Sequence, residues 1–427
     1  MRFKVKIWHL IITFCIAIVF IRFNLLIDTF LLFIQIIKLL FTNPTLLLEQ
    51  LSFSMFDSLF SSFLILAIPI YLFLKRNKIK VFSYKINFTS LIVVILMFFF
   101  FMAPLIVNSN PNFQKSLSAT KLLPPFSRVK VLHLVPEENF QNNNLEEFIK
   151  LKNRVIKRSF DQNIIFVDSI ADGQKFLYYQ QGSTFELPKS KIIMKAEKPL
   201  ITQKYFLLGT DELGRDIFSR LIYGARISLF VGLGSVAISL LLGLFLGFLA
   251  GYPGGLIDSA LNRITDMFLA FPVIFLIILI LALFGNSLIS VIVVLGFSGW
   301  MSLFKIVRGE VISLKNKDYF ISAKLIGLSR TKLLLKEVLP VILAPVIVNL
   351  VFQYANVILA EAALSYLGLG TGSTYPSWGA MIEAGQNYLS QAWWMIFFPG
   401  LILFLTLYTA NNLGKEINIY FNPRIEL

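Results

Sequence analysis

One cysteine and two histidines are all that 427 residues hold of the strongest metal-ligating and redox side chains. Cys15 has no second cysteine to pair with, so an intrachain disulfide is excluded. His9 and His133 are far apart and lack further ligands at metal spacing, so no metal site is assigned. Charge is scarce: 15% of residues are charged against 56% hydrophobic, with mean hydropathy +0.74. A soluble domain of this length carries more. Catalytic signatures are missing as well. No G-x-x-x-x-G-K-[ST] phosphate loop occurs, because Gly414-Lys415 lacks both the earlier glycine and the following Ser or Thr. No G-x-S-x-G elbow, H-E-x-x-H helix or paired cysteine cluster is found. The chain is therefore read as no enzyme, with no catalytic residue and no bound cofactor.

What is abundant is long apolar sequence. Runs at about 8–30, 56–74, 88–107, 227–250, 264–284, 287–305, 341–362 and 393–413 approach or exceed the roughly 20 residues that cross a bilayer. The protein is read as a multi-pass membrane protein, with lipid as its surroundings. A net charge of +15 would point to nucleic acid in a soluble protein. Here Lys and Arg cluster beside spans, where they set orientation, and no nucleic acid is expected. Lys75, Arg76, Lys78, Lys80 and Lys85 form one basic loop. Lys305, Arg308, Lys315, Lys317, Lys324, Arg330, Lys332 and Lys336 form another. Four expected spans separate them, so both fall on the cytosolic side, as do the N- and C-termini. The start, with Arg2, Lys4 and Lys6 before a long apolar run, reads as a retained span. Residues 8–41 are interrupted by Arg22, Asn24, Asp28 and Lys38 and fit one span plus an interfacial helix better than a hairpin.

Residues 108–206 differ, with no span-length run. Arg128–Leu134 and Asn163–Val167 read as short strands. Asn144–Arg158 reads as a helix carrying Leu145, Ile149, Leu151 and Val155. A small α+β domain on the extracytoplasmic side follows from the span count.

Between two apolar runs lies Tyr319–Pro340, YFISAKLIGLSRTKLLLKEVLP. Asp318 or Asn316 is placed to cap a first short helix, Gly327 to turn the chain, and Ser329 to cap a second helix reaching Leu339. Pro340 opens the next span, where its missing N–H is tolerated. Leu333, Leu334 and Leu335 are expected as an apolar patch beside solvated Lys332 and Lys336. Two such helices can dock into a partner groove or simply lie at the membrane surface. Ala323, Gly327 and Leu339-Pro340 at this spacing resemble the coupling loop of ABC-importer permeases.

A second segment, Leu208–Leu229 (LGTDELGRDIFSRLIYGARISL), sets Asp211, Glu212 and Asp216 among Arg215, Arg220 and Arg226, available for pairing. It resembles the outer signature of the C-type permease subunit of oligopeptide and dipeptide ABC importers. Residues 251–272, 364–382 and 397–424 resemble later parts of that subunit, and FMAPLIVNSNP (101–111) the end of its first core span. LLPPF (122–126) resembles the sequence that normally stands next to the outer signature. Here 128–204 intervenes, and the first 86 residues lack a counterpart. Glu337 stands where the family often has His.

The resemblance implies a fold and a role. The fold is an all-α polytopic type I ABC importer transmembrane domain, with two extra N-terminal spans and a small α+β extracytoplasmic insertion. Its divisions are 1–86 (extra spans), 87–127 (first core span), 128–204 (insertion) and 205–427 (permease core). The function implied is a permease subunit that imports peptides across the cytoplasmic membrane. Expected partners are a homologous second permease, two ATPase subunits that bind ATP and Mg²⁺, and an extracytoplasmic substrate-binding protein. Coupling falls to Asp318, Tyr319, Ala323, Gly327, Ser329, Leu339 and Pro340. The outer signature comprises Gly209, Thr210, Asp211, Gly214, Arg215, Asp216 and Arg226. Glu361 and Glu383 are candidate pathway residues, because acidic groups within spans are functional candidates by default. Relatives that move nickel or other solutes keep a different cargo open. A secondary transporter without ATPase partners, or a sensor using 108–206, are further alternatives.

Overall fold

A computed structural model describes residues 6–75, 86–135, 143–157, 163–172, 176–180, 183–195, 198–371 and 375–421. Arg76, Lys78, Lys80 and Lys85 of the first basic loop, Arg158 of the expected helix, and residues 422–424 of the tail motif lie outside them. Among the described residues seven helices are long and apolar enough to cross a membrane, and a sharply bent pair adds an eighth. The chain divides into two units, Met1–Arg226 with Ala384–Phe398, and Ile227–Glu383 with Pro399–Leu427.

The first unit opens with α1 (Ile7–Ile21), α2 (Phe23–Thr42), α3 (Pro44–Gln50), α4 (Phe53–Lys75) and α5 (Phe88–Ile106). The span expected at 8–30 is not continuous. It breaks at Arg22, whose guanidinium donates to the Leu105 carbonyl at 2.9 Å and the Ile106 carbonyl at 3.0 Å. Those carbonyls end α5 and have no intrahelical partner. The break lets a charged residue inside an apolar run reach them. Cys15, Ile65, Val94, Phe98 and Met102 form the buried contact of α1, α4 and α5.

The α+β region begins after the short α6 (Leu117–Thr120). Strand β1 (Ser127–His133) pairs antiparallel with β2 (Ile164–Val167) on one side and β8 (Ile201–Phe206) on the other. Alternate residues Val129 and Val131 point inward with Ile164, Phe166 and Phe206 against Ala119. Between β2 and β8 lie a meander of β3 (Ser169–Asp172), β4 (Phe176–Gln180) and β5 (Ser183–Leu187), and a hairpin of β6 (Met194–Lys195) and β7 (Lys198–Pro199). The helix expected at 144–158 is α7 (Asn143–Lys152), followed by a π-helical turn at Asn153–Lys157. Phe148 and Val155 there bury against Leu32 and Leu39 of α2.

Then come α8 (Ile217–Gly251), α9 (Gly255–Ala270), α10 (Val273–Phe284), α11 (Leu288–Leu314), α12 (Asp318–Leu325), α13 (Arg330–Lys332), α14 (Leu339–Tyr366), α15 (Trp378–Gln386) and α16 (Trp394–Phe421). In the second unit α8 meets α11 through Gly243, Gly247 and Gly251, four residues apart, which lie against Leu303, Val307 and Val311. Small residues at this spacing let membrane helices approach closely. The span expected at 264–284 is broken by an 87° bend between α9 and α10. Pro272 holds Phe271 extended (φ −89°, ψ 139°) and cannot donate a helical bond, so the first helix stops there. Arg308 holds Asp258 through a pair of hydrogen bonds, one of them 2.7 Å from Nη2, and Lys305 reaches Asp266 at 2.7 Å. These pairs fix α9 to α11.

Candidate functional site

The 316–340 segment is built into the second unit on one side and bare on the other. Phe320 and Ala323 of α12 are buried with Leu303, Val307, Val311 and Leu314 of α11 and with Leu333, Val338 and Ile342. The small side chain of Ala323 lets α12 sit close on this cluster. Tyr252 meets the Phe320 ring edge-on at 6.3 Å, and Lys315 Nζ donates to the Gly251 carbonyl at 3.3 Å. On the other side Tyr319 and Ile321 are exposed, and Leu325 and Ile326 are 82% and 83% exposed. Gly327 follows them at φ +89°, with open space where a Cβ would stand. Its requirement is thus conformational and not steric: an L side chain is disfavoured there.

Four details differ from expectation. Lys317, not Asp318 or Asn316, holds the N-cap of α12, and no side chain caps it. Asp318 is the first helical residue, where its charge complements the helix dipole. Ser329 does stand at the N-cap of α13, but its hydroxyl caps nothing and lies 3.4 Å from that of Thr331. The second helix does not end at Leu339. It continues through a π-helical turn at Leu333–Val338 into α14, giving one helical stretch from Arg330 to Tyr366. Pro340 cannot donate to the Lys336 carbonyl, and the wider turn sits where that bond is lost. Finally, the expected apolar patch is one residue wide: Leu333 is fully buried, Leu334 half-buried, and only Leu335 is exposed.

Residues 208–226 of the second segment form a polar knot in the first unit. Asp211 accepts from the Leu213 and Arg215 amides at 2.9 and 2.8 Å and from Arg215 Nε at 2.6 Å. Arg220 Nε adds a contact at 3.5 Å, and Glu212 pairs with Arg215 at 3.0 Å. Asp216, expected to pair with an arginine, instead caps α8 by accepting from the Ser219 amide and hydroxyl. Burial and the neighbouring Asp211 charge push the Glu212 carboxyl above its ordinary range, and burial does the same to Asp216. The knot joins two distant stretches of sequence. Leu123 donates to Thr210 Oγ1 at 2.8 Å, Thr210 donates back to the Leu123 carbonyl at 3.0 Å, and Phe126 donates to the Phe206 carbonyl at 2.9 Å. Gly209 and Gly214, both at positive φ, pack against the Leu123 carbonyl and Thr120. Trp394 Nε1 closes the knot on the Thr210 carbonyl at 3.1 Å. The two ends of 128–204 thus leave from adjacent points.

Arg226 takes its carboxylate from Asp57 of α4, not from Asp211, Glu212 or Asp216. The sequence signal was an acid inside an apolar run, flanked by Ser54, Ser58, Ser61 and Ser62. Glu361 is fully buried among serines. Ser365 donates to one oxygen at 2.8 Å and Ser228 to the other at 3.1 Å, while the Trp378 amide approaches Ser228 at 3.3 Å. Glu383 is half-buried on α15. A cavity of about 400 Å³ in the first unit is lined by Asn108, His133, Gln203, Lys204, Tyr205 and Asp216. Lys204 lies within 5.2–5.6 Å of the Phe113, Phe166 and Phe206 rings. Burial lowers its pKa to about 8, opposed by Asp216.

Long apolar helices in tight small-residue contact define a polytopic helical membrane protein, and Leu325 and Ile326 are left exposed beside the Gly327 turn. Residues 243–426 match the family described as binding-protein-dependent transport system inner membrane component. The dipeptide transport system permease protein DppC of Bacillus subtilis is 40% identical over 51% of this chain and 68% of its own length. The di/tripeptide permease protein DppC of Pseudomonas aeruginosa is 38% identical over 52% of this chain and 74% of its own. The oligopeptide permease protein OppC of Bacillus subtilis is 34% identical over 55% and 76%. A solved chain of the MetNI methionine ABC transporter reaches only TM-score 0.38 at 16% identity, covering 47% of this chain and 97% of its own length, so no residue is transferred from it. The chain belongs to the binding-protein-dependent inner-membrane component family, among the C-type peptide permeases, and is a multi-pass permease subunit of an ABC importer.

Proposed function

We propose that this chain carries peptides across the cytoplasmic membrane together with a second, homologous permease, two ATPase subunits and an extracytoplasmic substrate-binding protein. Relatives named for dipeptide and oligopeptide transport, at 34–40% identity, support the cargo. ATP and Mg²⁺ belong to the ATPase subunits and none to this chain. The termini and the Lys-rich 305–336 region face the cytosol, in line with the preference of short basic loops for that side.

The observation that carries this reading is the two-sided 316–340 segment. Leu325 and Ile326 project at the Gly327 turn, while Phe320, Ala323 and Leu333 anchor its other side in the packing of α11 and α14. An ATPase groove that grips the tip pushes on α11 and α14 together, because the cluster between them is solid. Asp318 and Tyr319 start the gripping helix, Ser329 starts the next, and Leu339 and Pro340 lead it into the span. ATP-driven closure of the ATPase pair then biases a two-state rigid-body shift of the helices. Arg215, Asp211 and their neighbours act as a fixed outer brace. Glu383, not the enclosed Glu361, is the acid left to face the pathway.

Affinity purification of the tagged chain from native membranes, followed by mass spectrometry, tests the assembly. A second permease and ATPase subunits are expected, and uptake of labelled trialanine should depend on the chain. Purification of the chain alone under several mild detergents overturns the importer reading.

A further inference from the structure

Pro104 lies inside α5 and has no N–H, so the Phe100 carbonyl one turn earlier loses its helical donor, and the ring loosens the next bond as well. In an apolar environment such carbonyls need other partners. Arg226 Nε donates to Phe100 at 2.6 Å, and Ser61 Oγ of α4 donates to Phe101 at 2.7 Å. The other two Arg226 nitrogens form a fork on Asp57 of α4, both at 2.5 Å. Arg226 therefore spends every nitrogen within this junction, one on the broken helix and two on the counter-ion. Lysine, a point charge, could not serve all three. The α4 groups lie on one strip of an otherwise apolar helix. Ser58, Ser61 and Ser62 are buried, and the Asp57 side chain is 9% exposed. A charged group inside a membrane helix demands such a partner.

We propose that α4 is a permanent part of the permease and not a separable anchor. Asp57 is the counter-ion of Arg226, and the pair with Ser61 repairs the Pro104 break, so α4 closes this side of α5 to any other subunit. Asp57 and Arg226 both lie outside residues 243–426, the stretch that matches the family. The inference concerns the isolated chain and stands apart from the question of cargo or ATPase partners.

The test is a charge cycle on the full chain, purified in mild detergent, with thermal midpoints read by fluorescence-detected size exclusion. Asp57→Ala and Arg226→Ala should each lower the midpoint by roughly 5 °C, since each leaves one charge unpaired. The double variant should be no worse than the poorer single variant, because neither charge then remains. If a single variant gives no monodisperse peak, recovery of one in the double variant supports the pairing equally. Asp57→Asn, which keeps the shape and removes only the charge, should also lower the midpoint. Additive losses in the double variant, or an Asp57→Asn midpoint equal to wild type, overturn the proposal. Because the readout involves no transport, a failed peptide assay leaves it unaffected.

Discussion

A Cβ on Gly247 would stand 2.6 Å from Cγ1 of Val307, closer than any real side-chain contact. This one approach fixes the distance between α8 and the half of α11 that carries the Phe320 cluster. Gly247→Leu is therefore expected to cost at least the 1–3 kcal/mol typical of overpacking, visible as a lower thermal midpoint and reduced uptake. Gly309, also on α11, has nothing within 4 Å of a built Cβ. Gly309→Ala should be neutral or stabilising by about 0.5–1 kcal/mol, since only helix propensity changes. Equal losses from both substitutions would remove the packing argument.

Lys204 supplies a pH prediction. Its folded pKa of about 8 lies below the ordinary lysine value of 10.5 because burial disfavours the ammonium. Between those values the unfolded chain holds a proton that the folded chain has released, so stability rises with pH across that window. Below about pH 8 both states are protonated and the folded state bears the full penalty. Lys204→Met should raise the thermal midpoint at neutral pH and flatten the local rise between about pH 8 and about pH 10. An unchanged slope would show that this lysine is solvated in the folded chain.

Glu361 is held by hydroxyls. Glu361→Ala leaves the Ser228 and Ser365 hydroxyls without their acceptors in a dry site, at a cost of about 1–3 kcal/mol. Glu361→Gln keeps one acceptor oxygen and should lose less. Thermal midpoints in detergent decide between them. A larger loss for the glutamine variant would mean that its amide NH2 clashes with the serine donors and that the retained acceptor does not help.

The architecture was legible wherever a long apolar run carries its own punctuation. The strands at 127–133 and 164–167 follow from short β-type runs, and the turn inside the 316–340 segment from Gly327. Breaks inside apolar runs were harder to see. Arg22 and Phe271-Pro272 interrupt sequences that hydropathy alone reads as continuous, because hydropathy averages over a window and a backbone break depends on one residue. The side of a leucine was equally opaque. Leu333 and Leu335 look alike in sequence, yet the first is buried in the core and the second is exposed. The Asp57–Arg226 pair joins residues 169 apart, so no local rule could match them. The serines around Asp57 were the one available signal.

The tip of the 316–340 segment separates docking from folding. Leu325 and Ile326 are exposed and contribute little to the packing of their own chain. Leu325→Asp with Ile326→Asp should leave the thermal midpoint within about 2 °C of wild type, as surface changes do. The same change places two charges where an apolar groove is proposed to sit, so ATPase subunits should no longer co-purify and uptake should cease. Phe320→Ala is the contrast. It hollows the cluster beneath the tip and should cost about 3–5 kcal/mol while leaving the exposed surface intact. A double aspartate variant that still retains its ATPase subunits would move the contact away from Leu325 and Ile326, and the anchoring of Phe320 would then serve only the fold of this chain.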